Sequence, residues 1–169
     1  IKLNDVEYAW PKRPVVVVCI DGGDPEYIKE GVKDGIIPNI ESFMNKGFYS
    51  VAQGSMPSFT CPNNMSIVTG CEPAVHGISG NFFLDRETSK PIVMTGPNLL
   101  RTRSVMSEFS RHGAKVVSIT AKDKLRKQLQ KDIDYLSKFL DNDEQINEVI
   151  EASDRFGTGS AQYFCEEFV

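Results

Sequence analysis

The first strong pattern in the chain is a stretch that is apolar at every position. "PVVVVCI", Pro14 to Ile20, breaks off at Asp21-Gly22-Gly23. A β-branched run with no polar alternation predicts a parallel strand buried on both faces. Asp24-Pro25 then reads as a cap residue followed by proline at the first helical position. "IPNIESFMNKG" places apolar residues at Ile40, Phe43 and Met44 before a glycine stop at Gly47, which predicts a helix. "FYSVAQGS" predicts a short strand, and "CPNNMSIVTG" a helix that ends at Gly70.

The alternation continues. "ISGNFFLDRETSKPIVM" has the pattern of a hairpin or strand pair, "LLRTRSVMSEFSRHG" of an amphipathic helix and "AKVVSITAKDK" of a second buried strand. Strands alternating with helices, and buried parallel strands, predict an α/β fold with helices on both faces of a mostly parallel sheet. Ligands in such folds bind beyond the carboxyl ends of the strands. Asp21 and Lys122 stand just past two of those predicted ends. From Leu125 the pattern is helical and charged. It runs to "AQYFCEEFV" with Val169 inside an apparent helix that has neither cap nor terminal glycine. That ending suits the front part of a longer protein.

Composition narrows the functional classes. The 169 residues are 40% hydrophobic and 25% charged, an ordinary globular balance with enough chain for one real core. A net charge of −4 argues against a broad nucleic-acid or anionic-membrane surface. The longest apolar run is far too short to span a bilayer. The four cysteines include no CxxC pair, and with only two histidines a structural zinc site is not expected. The cysteines suit reduced thiols in the cytoplasm, with disulfides an open alternative.

Several polar residues admit two readings. Asp21 can close its strand as a turn residue, or it can offer hard carboxylate oxygen to a metal ion. Thr60, just before Pro62, can cap a helix or act as a nucleophile, and the two are compatible. A threonine hydroxyl is hardly ionised near neutral pH, but coordination to a divalent cation would lower its pKa. Asn63, Asn64 and Asn81 are uncharged donors suited to turns and caps. "NMS" at Asn64 matches a glycosylation sequon, but it falls inside a predicted helix. Lys122 and Lys124 can be a solvated helix start or a pair of ammonium groups for a carboxylate or phosphate. His76 can supply a ligand, but reads rather as a satisfied structural histidine, and His112 before Gly113 as a helix C-terminal cation.

Taken together, "VVCIDGGDPEYI", "MPSFTCPNNMSIVTGCEPAVHGISGNFF" and "TAKDKLR" resemble the alkaline phosphatase superfamily. Within it they are most similar to the branch of phosphonoacetate hydrolases and nucleotide pyrophosphatases/phosphodiesterases. The likeness runs from about Val15 to Arg126, and the order of the motifs makes it specific. It implies an alkaline phosphatase-like three-layer sandwich, with residues 1–124 as the N-terminal part of the core domain. Residues 125–169 would be a helical segment, the start of a cap or insertion.

The resemblance also implies roles. Asp21 would bind one of two zinc ions, and Thr60 would be the nucleophile and ligate the same ion. Asn81 would hydrogen-bond a phosphoryl oxygen, and Lys122 and Lys124 would hold a substrate carboxylate. The implied activity is hydrolysis of the C–P bond of phosphonoacetate to acetate and phosphate through a phosphothreonine. The partners would be a small-molecule phosphonate and a second copy in a homodimer, with neither nucleic acid nor membrane, in the cytoplasm. A phosphodiesterase or nucleotide pyrophosphatase is the nearest alternative. An inactive binding module is the second, because the family's later aspartates and histidines have no counterpart among two histidines. These residues are then expected to be inactive without the other half of the site.

Overall fold

A computed structural model describes residues 1–120 and 122–133, and the backbone of a strand at 161–165. A sheet with the order β3-β7-β6 supports the site, with β3 at Val16–Ile20, β6 at Val117–Thr120 and β7 at Ala161–Cys165. Both outer strands are antiparallel to β7 and therefore run the same way. Val16 and Val117 share the partner Cys165, so the two strands are level and their carboxyl ends face one edge. Two strand spacings separate them, about 9.5 Å. A lysine arm can bridge much of that gap.

Three expectations are corrected here. The last stretch contains strand β7 where an apparent helix was expected, and β7 fills the slot between two strands that would otherwise lack a shared partner. A five-residue strand takes its conformation from the ladder partners on either side, which the local sequence does not record. Second, β3 is not buried on both faces. Cys19 packs against the core on one side, but Val16 and Ile20 on the other are 59% and 61% exposed, because among the described residues no layer covers that face. Third, "FYSVAQGS" forms no strand; Phe48 lies at the surface with no ladder partner among the described residues. The expected helical segment of the last residues lies mostly at 134–160, outside the described residues.

The helices follow their local signals. Helix α1 (Pro25–Lys33) starts at Asp24, whose side chain accepts from the Glu26 N–H, with proline at the first position. Helix α2 (Pro38–Lys46) stops at Gly47. Helix α3 (Thr60–Thr69) ends at Gly70, held at φ 66 in the left-handed region that glycine tolerates. A short turn, α4 (Pro73–His76), leads to the hairpin β4 (Phe82–Asp85) and β5 (Lys90–Val93). Helix α5 (Val105–Arg111) carries a reciprocal capping box between Ser104 and Ser107. Helix α6 (Asp123–Leu129) follows β6. At the amino end, β1 (Lys2–Leu3) and β2 (Val6–Glu7) form a small hairpin that the sequence pattern does not announce.

The main core explains why the site elements are mutually fixed. Cys61, Met65 and Val68 on α3 pack with Ile78, Met94 and Leu100, and with Leu125 and Leu129 on α6. Full burial of one such side chain contributes about 1.5–3 kcal/mol. The core therefore locks the helix that begins at Thr60 against the helix that begins just after Lys122.

Candidate active site

Thr60 is the first residue of α3, and the cap position belongs to Phe59, which makes no side-chain cap bond. The reading of Thr60 as a cap is therefore corrected. Its hydroxyl donates instead to Asp21 Oδ2 at 3.3 Å, across 39 residues of sequence. Asp21 sits where β3 ends, so the strand's carboxyl edge and the helix's amino end bring these two oxygens together. The positive end of α3 also favours negative charge at this point.

Lys122 meets the same oxygen: its Nζ forms an ion pair with Asp21 Oδ2. The pair is about three-quarters buried, with side chains 25% and 26% exposed. Lys122 is the residue before α6, its own N–H held by Thr120 Oγ1 at 3.2 Å. Lys124, within the first turn of α6, lies close enough to Cys61 for its charge to act on the thiol.

Asn81 is tied to Cys61, the residue after Thr60. Its Oδ1 accepts from the Cys61 N–H at 3.0 Å, and its backbone carbonyl accepts from the Met94 N–H at 2.8 Å. An amide whose oxygen is engaged in this way presents its NH2 on the other side. The structure thus brings Asp21, Thr60 and Lys122 into direct contact, and holds Asn81 on Cys61, the residue after Thr60.

The two asparagines of "PNN" act as fasteners. Asn64, 3% exposed, donates to the Thr60 carbonyl at 2.8 Å, and its Oδ1 accepts from Cys19 Sγ at 3.7 Å. It thereby links the first turn of α3 to β3. Asn63 accepts from the Ser55 N–H at 2.8 Å and donates to the Phe59 carbonyl at 3.1 Å, holding the approach to the helix. The burial of Asn64 also removes it as a glycosylation acceptor in the folded chain. This fastening was not foreseen, although the spacing of Thr60 and Asn64, one helical turn, carried the signal.

The remaining reactive groups are quiet. Burial raises the Cys19 thiol pKa, aided by the Asp21 charge and opposed by Lys122. Burial likewise raises Cys61, against the opposing influence of Lys124 and Gln128. Neither is an activated nucleophile. The described cysteines Cys19, Cys61 and Cys71 are free thiols. His76 is fully buried; its Nδ1 accepts from the Ile78 N–H at 3.1 Å, so the neutral ring carries its proton on Nε2, 3.0 Å from Ser66 Oγ. Both ring nitrogens are thus engaged, as a structural role requires. His112 caps α5, with Nδ1 2.8 Å from the Glu108 carbonyl.

The donor set bears on a metal. Asp21 and Thr60 converge as two hard oxygens, which fits part of a divalent-cation site. Among the described residues no group of three or more His, Cys, Asp or Glu could complete it. No described helix is long and apolar enough to cross a membrane.

Comparison with known proteins gives this geometry a setting. The sequence model for "Type I phosphodiesterase / nucleotide pyrophosphatase" matches residues 15–159. The crystal structure of phosphonoacetate hydrolase from Sinorhizobium meliloti in complex with phosphonoacetate superposes with a TM-score of 0.74 at 39% identity, covering 78% of this chain and 32% of that one. The same enzyme in complex with phosphonoformate matches equally well. An uncharacterized pyrophosphatase/phosphodiesterase from Schizosaccharomyces pombe is 35% identical over 83 residues, 49% of this chain and 16% of that protein. Ectonucleotide pyrophosphatase/phosphodiesterase family member 3 from mouse is 35% identical over 78 residues, 46% of this chain and 9% of that protein. The chain therefore spans about a third of its solved neighbour and a smaller share of these curated relatives. The fold is the alkaline phosphatase-like one of that neighbour.

Proposed function

The chain belongs to the type I phosphodiesterase / nucleotide pyrophosphatase family, and from that premise we propose that it carries the nucleophile of a hydrolase that cleaves phosphonoacetate. One observation carries the reading: the Thr60 hydroxyl, at the amino end of a helix, points at the Asp21 carboxylate from 3.3 Å. The choice of substrate is supported by the 39% identity to a phosphonoacetate hydrolase and by two lysines that follow the carboxyl end of β6.

In the proposed reaction Thr60 Oγ forms a bond to phosphorus as the C–P bond breaks. The electron pair of that bond leaves on the acetate carbon, which takes up a proton and departs as acetate. The resulting phosphothreonine is hydrolysed by water to phosphate and free Thr60. The hydrogen bond from the Thr60 hydroxyl to Asp21 Oδ2 orients the oxygen, and its proton is given up to solvent before attack. Asn81, its amide oxygen engaged by Cys61, offers NH2 to a phosphoryl oxygen, and Lys122 and Lys124 stabilise the departing enolate-like carboxylate. Asp21 and Thr60 would hold a divalent cation, one of two zinc ions, whose chemistry is to lower the hydroxyl pKa and neutralise phosphoryl charge. The other metal ligands would come from outside the described residues. A cytoplasmic site of action and a homodimer belong to the same proposal.

The names of the curated relatives favour a second reading, a phosphodiesterase or pyrophosphatase that uses the same Asp21, Thr60 and Asn81. Phosphate release from phosphonoacetate, set against nitrophenol release from a nitrophenyl phosphodiester, separates the two. Preference for phosphonoacetate is expected, and preference for the diester would replace the first reading with the second.

A further inference from the structure

One oxygen, Asp21 Oδ2, receives both the Thr60 hydroxyl and the Lys122 ammonium. The inference drawn from this rests on the proposed metal role of Asp21 and Thr60. A dication bound to those two oxygens and an ammonium on the same carboxylate oxygen would be like charges in contact, in a partly buried place where screening is weak. Both cannot hold that position. We propose that Lys122 and the metal ion compete for Asp21, so that metal loading releases the lysine toward the anionic end of the substrate.

The surroundings of Lys122 allow this exchange with a side-chain movement only. Its carbonyl accepts from Leu125 and Arg126 at 2.9 and 3.1 Å, its N–H is held by Thr120, and Leu125 is anchored in the core. The backbone is therefore fixed. The arm itself is a quarter exposed and has solvent to turn into. The ammonium and the Thr60 hydroxyl meet on the one Asp21 oxygen. Once displaced, the ammonium is an unpaired cation at the same sheet edge, suited to a carboxylate. By reciprocity, whatever draws Lys122 away from Asp21 must tighten metal binding by the same factor.

The test is zinc affinity, measured by equilibrium dialysis on the protein as its gene encodes it and on Lys122→Met, Lys122→Arg and Lys124→Met. Loss of a competing, partly exposed ion pair predicts roughly two- to fivefold tighter zinc binding for Lys122→Met. Lys122→Arg and Lys124→Met should stay near wild type. Circular dichroism of each zinc-free variant checks that it is folded, and Lys122→Ala serves as the substitute if Lys122→Met is not. Wild-type protein that binds zinc, beside a folded Lys122 variant that binds it equally or more weakly, overturns the competition and leaves the proposed function standing. Absence of zinc binding in wild type overturns the metal reading and the competition with it.

Discussion

Asn81 offers the sharpest separation of structure from chemistry. In Asn81→Ala the Cys61 N–H loses its 3.0 Å acceptor at the start of α3. A hydrogen bond of this kind contributes about 0.5–1.5 kcal/mol net, so the variant should lose about that much stability. It also loses the amide NH2 proposed to meet a phosphoryl oxygen. Removal of one such donor costs about 2.7–4 kcal/mol in the barrier, on the order of 10²–10³ in kcat. Asn81→Asp divides the two effects: its carboxylate oxygen still accepts from Cys61, with a charge-assisted bond, but it has nothing to donate. Urea denaturation should therefore place Asn81→Asp at or above wild-type stability, and Asn81→Ala below it. Phosphate release should fall by at least two orders of magnitude in both. Retention of activity within a few-fold by Asn81→Asp, with stability intact, would refute the donor role. Equal stability losses in the two variants would refute the Cys61 contact.

Further outcomes follow from the same geometry. Because Thr60 is not the cap of α3, Thr60→Ala should cost less than about 1 kcal/mol in urea denaturation while turnover of the zinc-loaded protein is abolished. His76 is buried with its pKa lowered from 6.5 by desolvation, so the unfolded chain takes up the proton first. Stability should be full above about pH 6.5 and decline as pH falls from there through the folded-state value; His76→Gln should flatten that slope in urea titrations between pH 7.5 and 5. Gly77 has φ 87 with the Leu99 carbonyl where a Cβ would stand, so Gly77→Ala should lose more than about 1 kcal/mol by thermal melting. Lys122→Ala combined with Lys124→Ala should impair phosphonoacetate hydrolysis far more than diester cleavage, as measured by the ratio of the two kcat/KM values.

Local signals in the sequence were sufficient wherever the physics is local. Asp24-Pro25 started α1, Gly47 and Gly70 ended α2 and α3, and the hairpin β4–β5 formed where alternation placed it. The order of the motifs likewise identified the family, because each piece is short, contiguous and legible without its distant neighbours. The tertiary structure was needed for whatever depends on residues far apart in the chain. Strand β7 was misread, since a short stretch of aromatic and small residues takes its conformation from the strands on either side. The apolar run of β3 states only that its side chains favour burial; what covers them is a matter of neighbours, and among the described residues Cys19 has them whereas the face of Val16 and Ile20 does not. Thr60 could be singled out by its setting. That its hydroxyl faces Asp21, and that Lys122 reaches the same oxygen across 101 residues of sequence, follows from two level strands and a shared core. Backbone preference is set within a turn or two of chain, whereas a site requires side chains to converge, and only packing determines which ones meet.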